Sequence, residues 1–320
     1  MSVVERMRSH YIGVDAGSIT AKAVAIDHAG AVIAHAYLRN SGDPISAILT
    51  ALREMGRQLC GDVRVLGAGT TGSARELAAA LVGADIVKNE ITAHAIATLE
   101  IVPEARAIIE IGGQESKLII LEGGAVVDFR LNSICAAGTG SFLDHQAERM
   151  GISVSELGEL AAKAPSRARI SGQCTVFAET DLILKQQMGY GRDEICAGLC
   201  DALADSYLSN VAKGKSLKPP IVFQGGVAAN AGMRRAFERQ LEADVIVPKH
   251  HALMGAIGVA MLTQRLKDWD ASRFSGFDLA ANVRRGDSFL CDGCYNRCEV
   301  VRLVSNGELV AYLGSRCGKW

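Results

Sequence analysis

The chain has 320 residues, 49% hydrophobic and 22% charged, which is enough for two domains with ordinary cores. A net charge of −1 gives no electrostatic reason to expect nucleic acid or an anionic membrane as partner. No apolar run approaches the about 20 residues that span a bilayer, and the opening Met1-Ser-Val-Val-Glu-Arg-Met-Arg-Ser-His10 lacks the apolar stretch of a signal peptide, so a cytoplasmic protein is expected.

The first predicted elements are two strands joined by a tight glycine turn, Tyr11-Ile-Gly-Val-Asp15-Ala-Gly17-Ser18-Ile-Thr20-Ala-Lys22-Ala-Val-Ala-Ile26. A turn and a third apolar run follow. Val65-Leu-Gly67-Ala-Gly69-Thr-Thr-Gly72-Ser-Ala-Arg75 is a further glycine-rich stretch, suited to the wall of a cleft.

The first pattern then returns with an offset of 95 residues, as Arg106-Ala107-Ile-Ile-Glu110-Ile-Gly112-Gly113-Gln114-Glu115-Ser-Lys117-Leu-Ile-Ile-Leu121. Asp15 matches Glu110, Gly17 matches Gly112, and Lys22 matches Lys117. Backbone N–H groups at such a turn can hold a phosphate chain, and a carboxylate at the strand end can hold hydrated magnesium or orient an attacking water. A single hairpin of this kind equally suits glycines that only turn the chain. Two copies in register favour phosphate binding, with backbone at Gly17, Ser18, Thr20 and Lys22 in one and at Gly112, Gly113 and Gln114 in the other.

Nine cysteines in a cytoplasmic chain point to thiol or metal chemistry rather than a disulfide framework. Cys60, Cys196 and Cys200 read as buried small hydrophobes. Cys135, in Asn132-Ser-Ile-Cys-Ala-Ala-Gly-Thr-Gly-Ser141, and Cys174, in Ser171-Gly-Gln-Cys-Thr-Val-Phe-Ala-Glu179, each stand before a predicted helix, over about 139–150 and 177–188. A helix N-terminus favours thiolate, the metal-binding form. Two thiolates are half of a four-thiolate site, which a symmetric dimer would complete. A redox-sensing disulfide between them is the other reading.

Pro219-Pro-Ile-Val-Phe-Gln-Gly225-Gly226-Val-Ala-Ala-Asn230 reads as a buried strand and double-glycine turn before a helix, where a flat ring can approach the backbone. Gly225, Gly226 and Asn230 are expected to border the nucleoside end of such a ligand. His250-His251 is expected to cap the closing helix, and Arg167 and Arg169 to lie on an exposed rim. At the end of the chain, Cys291, Cys294, Cys298 and Cys317 have metal-like spacing around a predicted hairpin at Asn306-Gly307, with zinc or an iron–sulfur cluster as alternatives.

Taken together, these segments resemble the superfamily of acetate and sugar kinases, heat-shock chaperones and actin. Within it they resemble the ATP-dependent activators of 2-hydroxyacyl-CoA dehydratases and the ATPase subunits of benzoyl-CoA reductase. The motifs that carry the likeness are Gly13-Val-Asp15-Ala-Gly-Ser-Ile-Thr-Ala-Lys22, Glu110-Ile-Gly-Gly-Gln-Glu-Ser-Lys117, Cys135-Ala-Ala-Gly-Thr-Gly-Ser-Phe-Leu143, Cys174-Thr-Val-Phe-Ala-Glu179 and Gly225-Gly-Val-Ala-Ala-Asn230, and it spans residues 11 to about 265.

The resemblance implies an α/β fold of two duplicated actin-like (ribonuclease H-like) domains around an ATP cleft, at 1–105 and 106–268, with a cysteine-rich β-hairpin module at 269–320. It implies ATP and Mg²⁺ as ligands, with Asp15 positioning Mg²⁺-bound water and Glu110 orienting the hydrolytic water. It further implies a homodimer sharing one [4Fe–4S] cluster through Cys135 and Cys174. A donor such as ferredoxin or flavodoxin supplies electrons to a dehydratase or reductase partner. Glu110 and Glu115 replace the aspartates expected in the closest relatives, a change that bears on hydrolysis rate. Glu179 is a candidate for coupling cleft to cluster. A small-molecule kinase of the same superfamily and an ATP-gated redox regulator are the alternatives. The last stretch resembles the segment that follows the activator module in longer fused activases.

Overall fold

The structure is a computed structural model that describes residues 9–59, 63–132, 138–172, 174–278, 283–305, 307–317 and 319–320. Cys60 and Cys135 lie outside the described residues. Packing divides the chain into two compact units, Met1–Ile96 with Gly255–Trp320, and Ala97–Met254. The division falls inside a helix instead of at residue 105, and the closing helix from Gly255 onward returns to the first unit.

The first unit begins with β1 (Ser9–Ala16), β2 (Thr20–Ile26) and β3 (Val32–Arg39), an antiparallel meander. α1 (Pro44–Gly56) starts where Asp43 accepts from Ser46 N at 3.0 Å, with Pro44 in the first turn where its missing N–H is harmless. Its apolar face (Ile48, Leu52, Met55) is fully buried and carries the chain to β4 (Arg64–Thr71), parallel to β1. α2 (Arg75–Val82), β5 (Ile86–Val87) and the start of α3 (Glu90–Ile101) follow, giving the strand order β3-β2-β1-β4-β5.

The second unit builds the same sheet from β6 (Ala107–Ile111), β7 (Ser116–Glu122) and β8 (Ala125–Asn132). After them come α4 (Gly140–Arg149), α5 (Val154–Lys163), α6 (Thr175–Gln187) and α7 (Arg192–Asn210). β9 (Ile221–Gln224), α8 (Ala231–Leu241) and β10 (Val245–Ile246) complete the order β10-β9-β6-β7-β8. Read from β8, this is the order of the first sheet. Its core centres on Phe142, Tyr207, Phe223 and Phe237, and the Phe237 ring meets those of Tyr207 and Phe223 edge to face. Cys196 and Cys200 are buried there as expected, and burial pushes the Cys196 thiol up to about 11 and raises that of Cys200 too.

α9 (Met254–Arg265) packs on the first sheet with almost no clearance. A Cβ on Gly13 would stand 1.9 Å from Ala256 O, and one on Gly258 1.8 Å from Ala93 O. The last elements are β11 (Val283–Leu290), β12 (Glu299–Ser305) and β13 (Glu308–Leu313), an antiparallel sheet in that order. The predicted hairpin is therefore the outer part of a three-stranded sheet. β11 escaped the sequence reading because Val-Arg-Arg-Gly-Asp-Ser interrupts apolar alternation.

Candidate functional site

The 95-residue repeat survives as geometry. In the first hairpin Asp15 pairs across the strands with Lys22, and Ala16 with Ala21; in the second Glu110 pairs with Lys117, and Ile111 with Ser116. The turns close identically, Gly17 N donating to Thr20 O and Gly112 N to Glu115 O, both at 2.9 Å. Each hairpin holds a buried carboxylate against its lysine. Lys22 Nζ is 2.9 Å from Asp15 Oδ2, and Lys117 Nζ is 3.2 Å from Glu110 Oε2. Lys117 also reaches Glu115 Oε2 at 3.3 Å, so the second hairpin sets two carboxylates on one ammonium. Asp15 and Glu110 are each 5% exposed, which makes their charge costly to leave unpaired.

The equivalence reaches further than the sequence repeat. Gly72, after β4, has φ of 101°, and a Cβ there would meet Ala16 O at 2.3 Å. Gly225, after β9, has φ of 93°, and its Cβ would meet Ile111 O at the same 2.3 Å. Each hairpin strand is thus crossed at its end by a glycine turn. The stretch read as a cleft wall is the first unit's counterpart of the Gly225 turn.

Two bracing residues were not found from sequence. Asn40 donates from Nδ2 to Gly17 O at 2.8 Å and Ser18 O at 3.2 Å, fixing the first turn. His251 Nδ1 lies 2.9 Å from Gly225 O, and Gly225 N donates to His251 O at 2.8 Å. This histidine braces the double-glycine turn, and the short 3-10 turn His251–Leu253 that precedes α9 has no side-chain cap hydrogen bond from His250. Gly226 opens a short 3-10 turn, and Asn230 Oδ1 caps α8 by accepting from Met233 N at 3.0 Å. Asn230 is 8% exposed, turned into its own unit.

In the second unit the hairpin is tied to a helix. Gly140 N donates to Gly112 O and Ser141 N to Gly113 O, both at 2.8 Å, and Ser141 Oγ donates to Gly113 O at 2.6 Å. α4 therefore starts on the turn around Gln114. Tyr207 OH donates to Lys117 O at 2.8 Å behind it, and burial together with the nearby Glu110 holds the phenol well above its usual range.

Cys174 is the N-cap of α6, in extended conformation, and its side chain makes no capping hydrogen bond. The thiol is free and half-buried, beside the unpaired N–H groups of the first turn. Ser171 N donates to Asp181 Oδ2 at 2.8 Å, which ties the segment before Cys174 onto the helix. Glu179 on α6 takes His145 Nδ1 at 3.1 Å and Arg149 Nη1 at 3.2 Å, both from α4. Arg167 is paired with Asp201 at 3.1 Å. Among the described residues no three His, Cys, Asp or Glu side chains stand together as a metal site, and no helix is long and apolar enough to cross a membrane.

Two five-stranded α/β sheets of matching order, each bearing a carboxylate–glycine hairpin, define an actin-like ATPase fold. Residues 12–263 match the BadF/BadG/BcrA/BcrD ATPase family, and the chain belongs to it. The chain is 38% identical over 179 residues to the 2-hydroxyisocaproyl-CoA dehydratase activator of Clostridioides difficile, covering 56% of this chain and 67% of that one. It is equally 38% identical over 178 residues to the (R)-2-hydroxyglutaryl-CoA dehydratase activating ATPase of Acidaminococcus fermentans, covering 56% and 68%. The solved structure of the Clostridium difficile activator with bound ADPNP superposes with a TM-score of 0.74 at 30% identity, over 82% of this chain and all of that one.

Proposed function

We propose that this protein is an ATP-hydrolysing iron–sulfur activator, in which two copies share one [4Fe–4S] cluster and drive an electron into a 2-hydroxyacyl-CoA dehydratase or a related reductase. The observation that carries this reading is the pair of hairpins in one register, each with a buried carboxylate–lysine pair, in a member of an ATPase family. Gly17, Ser18, Thr20 and Lys22 in the first unit, and Gly112, Gly113 and Gln114 in the second, are the proposed phosphate-binding residues. Asp15 would hold Mg²⁺ through its bound water, and Glu110 would orient the attacking water by accepting its hydrogen. Gly225 and Gly226 give the nucleoside a backbone without side chains to clash.

Cys135 and Cys174 of each copy are the proposed cluster ligands. Cys174 fits, because its side chain is not spent on capping its helix and sits where a helix N-terminus stabilises negative charge. The cluster, when bound, supplies a one-electron carrier of low potential. Motion is passed along bonds of the second unit: Gly112 and Gly113 grip the start of α4, and His145 and Arg149 of α4 grip Glu179 of α6. A change at the hairpin therefore shifts the helix that Cys174 begins. The electron comes from a donor such as ferredoxin or flavodoxin.

The test is electron delivery from dithionite-reduced protein, purified without oxygen, to 2-hydroxyisocaproyl-CoA dehydratase. Delivery is expected with MgATP and not with ADPNP. Equal delivery with both nucleotides, or none while ATP phosphorylates a sugar or acid, overturns the reading.

A further inference from the structure

The three-stranded sheet gathers the last four cysteines at one end. Leu290, the last residue of β11, is the register partner of Glu299, the first of β12, so Cys291 and Cys298 flank a loop between neighbouring strands. Cys291 N donates to Cys298 O at 2.8 Å and closes that loop. Inside it Gly293 N donates to Cys291 Sγ at 3.4 Å, and Arg297 N to Cys294 O at 3.2 Å. On the far side β13 ends at Leu313 opposite Val301. Gly314, with φ of 93°, then lies against Glu299 O, where a Cβ would come within 2.3 Å, and turns the chain back three residues before Cys317. Beyond it, Trp320 packs on Phe289 and Tyr312 with ring centroids 5.0 and 5.3 Å away, and its Nε1 donates to Cys291 Sγ at 3.3 Å.

The loop between Cys291 and Cys298 has no apolar reason to be ordered, since residues 292–297 are all exposed. Among the described residues Val300 and Leu303 are the buried strand residues of the sheet, whereas Leu290 is 62% exposed and Tyr295 is fully exposed. Arg297 adopts φ of 42°, a left-handed conformation that costs a non-glycine residue energy. Surface loops without core contacts are the first to open. A metal would supply the missing contacts, as structural zinc does in small ribbon modules. A turn in which a backbone N–H reaches the sulfur of the first cysteine orients that sulfur, and the Trp320 donor does so again from the other segment.

We propose that Cys291, Cys294, Cys298 and Cys317 bind one zinc ion within each chain. Four thiolates from one chain satisfy tetrahedral zinc completely, with no second copy required. The four sulfurs are not drawn into a coordination sphere in this structure. Binding turns the exposed Cys294 and Cys317 toward the buried Cys291 and half-buried Cys298. Lys319, whose Nζ lies 3.0 Å from where a Cβ on Gly293 would stand, offsets part of the negative charge of a zinc tetrathiolate.

The site is independent of the activator reading and is tested on the full chain by elemental analysis after purification without added metal. One zinc per chain is expected, unchanged in Cys174→Ala and lost in Cys294→Ser and in Cys317→Ser. Replacement of the zinc by cobalt(II) in the wild-type protein is expected to give the visible bands of a tetrahedral tetrathiolate, a readout that holds if a serine variant fails to fold. Absence of zinc, zinc retained in both serine variants, or iron and sulfide lost from both of them in place of zinc overturns the proposal.

Discussion

Asp15→Asn is expected to lower ATP turnover by about two orders of magnitude or more, the scale of a positioned proton-handling or water-holding group. The substitution keeps the shape of the side chain and removes its charge. Asp15 is 5% exposed, at the end of a fully buried strand, and its partner Lys22 is fixed by strand register as well as by the ion pair. The hairpin backbone therefore stays in place, and nucleotide affinity is expected to change much less than turnover. Phosphate release beside nucleotide titration checks this. Turnover within about twofold of wild type would remove Asp15 from the chemistry. Glu110→Gln reports on the other hairpin, where Glu115 also contacts the lysine and leaves one carboxylate behind.

Gly258→Val is expected to be the most damaging single change to the fold. The helix crosses another backbone so closely that a Cβ would stand 1.8 Å from Ala93 O and 2.5 Å from Ala93 C. Neither neighbour is a flexible side chain, so one backbone must move. Gly13 repeats the constraint on β1, where a Cβ would meet Ala256 O at 1.9 Å and Ala260 N at 2.9 Å. Overpacking that displaces backbone reaches the large end of point-mutation effects, more than about 3 kcal/mol. For a unit of this size that lowers the melting temperature by roughly 6–12 °C, read by differential scanning calorimetry. Gly123→Ala is the control: Gly123 has φ of 56° but nothing within 4 Å, and about 1 kcal/mol is expected. Equal melting of the two variants would contradict the close-packing account.

The internal repeat was the most legible part of the molecule. Matching Asp15 with Glu110 and Lys22 with Lys117 foretold strand register, because antiparallel register follows from the turn and the apolar pattern. The helix after Cys174 was legible for a similar local reason. What stayed hidden depends on contacts distant in sequence. Asn40 braces a turn 23 residues earlier, and His251 one 26 residues earlier. Neither has a motif to mark it. The Gly72–Ala16 and Gly225–Ile111 approaches are also equivalent only in space. The return of α9 to the first unit left no sign, since an apolar, glycine-rich helix suits either sheet. The ties from Glu179 to His145 and Arg149 were hidden for the same reason, since the sequence offered only a carboxylate five residues after Cys174.

The proposed sharing of one cluster between two chains rests on Cys174 and its companion cysteine. It is tested most directly by iron and acid-labile sulfide, counted against molar mass, in protein purified without oxygen. The account predicts a dimer with four iron per two chains, unchanged in Cys317→Ser and lost in Cys174→Ala with the fold retained. An iron-free dimer, or iron that persists in Cys174→Ala, would contradict it.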